Sequence, residues 1–300
     1  MKPQNELASA RHTFVDRERE LAELTECLES ALSGNGQICF VTGLAGSGKT
    51  TLVRHFVQQA FASDSELVVA MGTCNAQTGI GDPYLPFREA LTMLTDEAAA
   101  QQAAGRLSPE NTNRLRQVLA TSVHILVEVA PELVGLFVPA GALMGAVGKA
   151  LVEKVGWTDR LEDVAKAGQG LGIRAPAVEQ NRVFEQYTAF LKRVSDKIPL
   201  ILFLDDLQWA DNASLNLLFH LARHLEGSRI LILGAYRPED VALGRAGDRH
   251  PLEAVVNELR RYRGDVAVDL DAIPEQIPRQ FVDSLLDAEP NCLGEDFREA

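Results

Sequence analysis

The sequence has few cysteines, a deficit of positive charge and no long apolar run. Its four cysteines, Cys27, Cys39, Cys74 and Cys292, lie far apart, and no two have a metal-binding spacing. That excludes a disulfide-stapled scaffold and a zinc ribbon. Cys39 and Cys74 fall in strand-like runs, so the cysteines read as reduced, mostly buried thiols of a cytoplasmic protein. Lys and Arg total 29 against 42 Asp and Glu, for a net charge of −13. That sign argues against a chain-wide grip on DNA or on an anionic membrane, and leaves only a local basic patch. Nowhere do about eighteen apolar residues run unbroken, so no membrane span is expected. The start, Met1-Lys2-Pro3-Gln4-Asn5-Glu6, lacks the apolar core of a signal peptide. There is no internal repeat and no low-complexity tract. What remains, 46% hydrophobic and 24% charged over 300 residues, is a globular chain with room for one large or two ordinary domains.

The most informative stretch is Gly43-Leu44-Ala45-Gly46-Ser47-Gly48-Lys49-Thr50, of the form G-x-x-x-x-G-K-T. An apolar run at 38–41 precedes it and a helix-like run at 51–61 follows. Strand, glycine loop and helix in that order make a phosphate-binding loop. Glycines let the backbone curl until successive N–H groups face one anion, and the new helix adds its positive end. The candidate nucleotide-binding residues are therefore Gly43, Ala45, Gly46, Ser47, Gly48, Lys49, Thr50 and Thr51. Lys49 would reach the β- and γ-phosphates, and the Thr50 hydroxyl would bind Mg²⁺.

Two further signals lie downstream. Leu200-Ile201-Leu202-Phe203-Leu204 runs into Asp205-Asp206. A carboxylate at the C-terminal end of a strand lies beside the phosphate loop in an open α/β sheet. Asp205 would hold Mg²⁺, mainly through water, and Asp206 would orient and polarise an attacking water. The apolar run at 229–235 ends in Tyr236-Arg237-Pro238. Arg237 either feels a γ-phosphate from the strand tip or is a surface arginine before a turn.

Hydrophobic periodicity fills in the rest. Leu21, Leu24, Leu28 and Leu32 predict a helix from about 17 to 32, with Asp16 able to cap it. Strands are expected at 37–42, 66–73, 200–205, 229–235 and 266–268. Helices are expected at 50–62, from Pro86 onward, and at 109–129, 177–195, 213–225, 252–262 and 277–286. An alanine-rich piece at 98–104 is helical by propensity. Asp211 can cap the helix at 213–225, and His220 and His224 on it read as a solvated or half-buried face rather than a metal site. Arg260, Arg261 and Arg263 suit a helix C-terminus. The apolar stretch 133–157 is open to three readings: a core helix pair, a mobile loop or a partner surface. A packed helical insert over about 96–176 is the expectation.

Four motifs stand in order: Phe14-Val15-Asp16-Arg17-Glu18, the loop at 43–50, Leu204-Asp205-Asp206-Leu207-Gln208-Trp209-Ala210-Asp211, and Tyr236-Arg237-Pro238. Together they resemble the nucleotide-binding module of the STAND class of AAA+-related ATPases. The likeness is to the subgroup of large bacterial regulators, which is also related to the Orc/Cdc6 type, and it covers about 14–96 and 179–286. It implies an α/β P-loop NTPase, a five-stranded parallel sheet flanked by helices. The leading segment of the family packs on adenine, which implies such contacts for Phe14, Val15 and Arg17; Asp16 stands where the family usually has glycine. Arg237 matches the family's sensor arginine. Asp206 stands where vigorous hydrolases carry Glu, which implies slow turnover.

The resemblance divides the chain into a flexible start at 1–13, an ATPase domain at 14–288 and the start of a lid at 289–300. It further implies a longer regulator, whose lid, winged-helix segment and effector would be C-terminal partners of this module. The expected function is an ATP- and Mg-dependent switch ATPase that exchanges ATP and ADP, touches DNA only indirectly and meets no membrane; self-association is left open. The alternatives are an Orc/Cdc6-like DNA-associated ATPase and an ATP-binding scaffold without significant hydrolysis, docking through 133–157.

Overall fold

The computed structural model describes residues 17–76, 83–95, 109–137, 177–243, 249–264 and 266–272. The expectations for Phe14, Val15, Asp16 and Cys292, for 98–104, for most of 133–157, and for everything from 277 onward lie outside these residues.

Five strands form one sheet: β1 (Gln37–Thr42), β2 (Val68–Thr73), β3 (Leu200–Asp205), β4 (Ile230–Tyr236) and β5 (Ala267–Asp269). Their order is β2-β3-β4-β1-β5, and every neighbouring pair is parallel. The runs are apolar throughout rather than alternating because a parallel sheet is covered on both faces. All six residues of β3 and all seven of β4 are buried. Each fully buried Leu, Ile or Phe stabilises the fold by about 1.5–3 kcal/mol before chain entropy is subtracted.

Helices flank the sheet. They are α1 (Glu18–Leu32), α2 (Lys49–Ser63), α3 (Leu85–Thr95), α4 (Pro109–Val129), α5 (Pro131–Phe137), α6 (Ala177–Ser195), α7 (Asn212–Arg223), α8 (Pro238–Leu243) and α9 (Pro251–Arg263). α1 buries Leu21, Leu24, Leu28 and Ala31, keeps Glu18 and Glu20 in its first turn, and ends where Gly34 turns back at φ 89°. Within 109–137, Leu115, Val123, Leu126, Leu133, Val134 and Phe137 join the main core. Among the described residues no helix is long and apolar enough to cross a membrane.

Several boundaries differ from the periodicity. β2 starts at Val68 and β5 ends at Asp269, small shifts of the kind that fraying ends produce. The sequence reads Pro238 as a turn, but it opens α8. Proline suits the first helical position because its missing N–H would be unpaired there anyway.

β2 is an edge strand, and side chains close its open edge. The Val69 N–H donates to Asn111 Oδ1 (3.0 Å), and Asn111 Nδ2 donates to the Val69 carbonyl (2.9 Å). The Met71 N–H meets Met93 Sδ at 3.3 Å, and the Thr73 N–H donates to Glu89 Oε2 at 2.8 Å. Alternate residues of an edge strand point their N–H groups outward, and here α3 and α4 satisfy three in succession. Nearby, Arg114 donates to the carbonyls of Phe61, Asp64 and Leu67, and so places a cation on the C-terminal end of α2. Asn111→Leu would orphan both polar groups of Val69 and is expected to destabilise the protein by about 2–6 kcal/mol in urea denaturation, at roughly 1–3 kcal/mol per group. A loss below about 0.5 kcal/mol, within the range of a neutral surface substitution, would show that the amide does not seal the edge.

Candidate functional site

The loop leaves β1 at Thr42 and enters α2 at Lys49. Gly46 and Gly48 have φ of 81° and 91°, a region that a side chain strains, and Gly48 is the N-cap residue of α2. Leu44, Ala45, Gly46 and Thr51 are exposed, and Ser47, Gly48 and Thr50 are half-buried. Lys49 is buried and folds back on the loop, with Nζ donating to the carbonyls of Gly43 (2.8 Å) and Leu44 (2.7 Å). Burial lowers its pKa, and the Arg237 charge lowers it further, against the opposing pull of Asp271, Asp205 and Asp206.

Thr50 and Asp205 meet directly. The threonine hydroxyl donates to Asp205 Oδ2 at 3.1 Å, and the Asp206 N–H donates to Asp205 Oδ1 at 2.9 Å. Burial pushes the Asp205 carboxyl upward, and the charge of Asp206 pushes the same way. Around them the field is negative: the buried Cys74 thiol is pushed up by desolvation, then by Asp211, Asp206, Glu89 and Asp205.

Asp206 has φ 57° and ψ 41° and precedes the short 3-10 turn Leu207–Trp209. Asp is one of the few residues that tolerate this left-handed conformation. Its Oδ1 accepts from Gln208 Nε2 at 2.7 Å and lies 4.0 Å from an Arg237 guanidinium nitrogen. Gln208 Oε1 accepts from the Arg237 main-chain N–H at 3.2 Å. Arg237 also faces Asp240 Oδ2 at 3.6 Å. Gly234 lets the turn approach the sheet; a Cβ there would lie 2.7 Å from Leu207 Cδ1.

A second belt ties the loop to the end of β5. The Leu44 N–H donates to Asp271 Oδ2 at 2.7 Å, and the Leu270 N–H donates to the Thr42 carbonyl at 2.9 Å. Arg17 donates to the Leu270 carbonyl at 2.9 Å and pairs with Glu20 at 2.6 Å. The residue expected to lie against adenine is thus held beside the loop, while Phe14 and Val15 lie outside the described residues.

The structure brings Lys49, Thr50, Asp205, Asp206 and Arg237 together, although sequence places them on three separate stretches. Asp211 is taken up by capping α7, where it accepts from the Ser214 N–H at 2.9 Å and from the Ser214 hydroxyl. His220 and His224 stack at 4.3 Å on that helix, and burial lowers the His220 pKa. Arg261 pairs with Glu258, and Arg263 donates to the Gly36 carbonyl. Gln208, Asp271 and Glu89 escaped the sequence reading. Gln208 stood in the motif after Asp206 without a role, and only the structure shows that it is 2% exposed. A cleft of about 810 Å³ between α1 and β5 is less suited to phosphate, since Glu18, Glu23, Glu26 and Asp269 line it.

Comparison with curated proteins found no match. A family model described as AAA ATPase domain matches residues 13–233, well over half of the chain. The match takes in the loop, the acidic end of β3, and β1, β2, β3 and the first part of β4 of a sheet with the P-loop NTPase fold. Arg237 lies just beyond it. Because the match and the architecture agree over that length, the chain belongs to the AAA ATPase domain family.

Proposed function

We propose that the chain binds ATP with Mg²⁺ and hydrolyses it slowly, as the nucleotide switch of a larger signalling or transcriptional regulator. The observation that carries this reading is the direct contact of Thr50 with Asp205, which joins the phosphate-type loop to an acidic strand end. Both are hard oxygen donors of the kind Mg²⁺ takes. A buried carboxylate whose charge is disfavoured by desolvation and by Asp206 is also a place where a cation is welcome. The residues present therefore fit the ion, with Thr50 and Asp205 as its holders. When bound, Mg²⁺ would neutralise charge on the phosphate oxygens.

Lys49 would exchange the carbonyls of Gly43 and Leu44 for the β- and γ-phosphate oxygens. Arg237, 34% exposed at its side chain and set between Asp206 and Asp240, would turn to the γ-phosphate, which gives ATP a contact that ADP lacks. Asp206 would orient the attacking water through Oδ2, since Gln208 holds Oδ1. Its short side chain keeps it farther from the water than a glutamate, which suits slow turnover and a switch. Phe14, Val15 and Arg17 would flank the adenine. The Asp271 contact with the loop gives the segment after β5 a direct hold on the nucleotide site.

Lys49→Ala is expected to weaken ATP binding by about 100-fold or more, from the loss of charge-assisted hydrogen bonds. Asp206→Asn should keep the ATP Kd within about threefold and lower kcat by about 100-fold or more. Wild-type ATP affinity in Lys49→Ala, measured by calorimetry, would sink the site assignment. Arg237→Ala should bring the Kd values for ATP and ADP together; an unchanged ratio would remove the sensor role.

Asp205 also sets a pH signature. Its folded pKa is raised, so the folded protein holds that proton more tightly than the unfolded chain does. The nucleotide-free protein thus loses stability as pH rises from about 4, the ordinary Asp value, through the raised one. Asp205→Asn does not titrate. Without nucleotide it should melt above wild type at pH 7, with the gap closing toward pH 4, and gain little from added Mg-ATP. A nucleotide-free variant that melts below wild type at pH 7 would contradict this account.

A further inference from the structure

Gln208 is placed as a group with a task. It lies in the 3-10 turn after Asp206 and is 2% exposed, yet its polar atoms face neither solvent nor a neighbouring helix. Nε2 donates to Asp206 Oδ1 at 2.7 Å, and Oε1 accepts from the Arg237 main-chain N–H at 3.2 Å. The orientation of the amide is unambiguous, because the flipped form would set its oxygen against a carboxylate and its NH₂ against an N–H. A side chain that donates at one end and accepts at the other is what an amide supplies at every pH; an ionised carboxylate lacks the donor and a hydrocarbon lacks both. Burying an amide has an energetic cost that apolar packing does not require.

We propose that Gln208 is a positioning residue that fastens the water-orienting carboxylate of Asp206 to the strand tip carrying Arg237. The proposal rests on the ATPase reading above and deepens it. The amide is bonded to Asp206 and to the main chain of Arg237, and the Arg237 guanidinium, expected to meet the γ-phosphate, lies 4.0 Å from Asp206 and 3.6 Å from Asp240. When the Arg237 guanidinium turns to that phosphate, Asp206 loses its 4.0 Å neighbour. Gln208 then keeps the carboxylate aimed rather than free to rotate toward water. Because the amide's other end holds the Arg237 main chain, a shift at the strand tip also reaches Asp206. Sensing the γ-phosphate and orienting the water are thereby coupled through one side chain.

The test uses the full 300-residue chain with Gln208→Glu and Gln208→Leu, each checked for folding by circular dichroism. ATP and ADP affinities are measured by calorimetry, and single-turnover hydrolysis is followed from pH 5 to pH 8. Gln208→Glu should bind ATP within about threefold of wild type but hydrolyse it about 10- to 100-fold more slowly at pH 7.5. Its rate should climb toward wild type as pH falls, because a protonated carboxyl donates as the amide did. Gln208→Leu should be slow at every pH. If Gln208→Leu does not fold, the pH profile of Gln208→Glu alone carries the test. Wild-type rates in either variant would overturn the proposal, and so would a Gln208→Glu profile parallel to wild type. Failure of the wild-type chain to bind ATP would instead overturn the nucleotide reading and this one with it.

Discussion

The hydrogen bond from Thr50 to Asp205 spans 155 residues of sequence and holds the site together. It exists because β1 feeds the loop, β3 ends in the acidic pair, and only β4 lies between them in the sheet. In an open parallel sheet the carboxyl ends of the strands share one rim, so groups distant in sequence meet there. Taking a carboxylate out of water is unfavourable unless hydrogen bonds replace the lost hydration. Asp205 receives one from the Thr50 hydroxyl and one from the Asp206 N–H, while its own carbonyl accepts from the Cys74 N–H. The buried charge is tolerated rather than comfortable, which is the condition a cation site requires.

The outer edges of the sheet are treated differently. On the β2 side, Asn111, Met93 and Glu89 take the outward N–H groups, so α3 and α4 are bonded to the sheet as well as packed on it. Glu89 also contributes to the negative field at Cys74, so that closing the edge and charging the site involve the same side chain. On the β5 side the strand is only three residues long and borders an acidic cleft. Short, charged edges resist unwanted strand pairing.

Between these edges the loop is held at its entrance. Asp271 accepts from the Leu44 N–H, Leu270 donates to Thr42, and Arg17 donates to Leu270. The start of α1, the end of β5 and the entry to the loop thus form one bonded unit. Lys49 is balanced inside it, weakened as a cation by burial and by Arg237 and supported by three carboxylates. A polyanion arriving at Lys49 and Arg237 would meet two cations whose mutual repulsion it relieves.

Much of this was legible in the sequence because the signals are local. Gly43–Thr50 carries its glycines and lysine within eight residues, and the apolar run ahead of Asp205 needs no partner to read as a strand. The spacing of Leu21, Leu24 and Leu28 is the buried face of α1. α8 was missed because Pro238 serves equally as a turn residue and as the first residue of a helix. What only the tertiary structure decided are the pairings: Gln208 with Asp206 and Arg237, Leu44 with Asp271, and Val69 with Asn111. A polar side chain in a sequence shows that it can donate or accept, but not to what. Its partner depends on the strand order, which packing settles for all five strands at once.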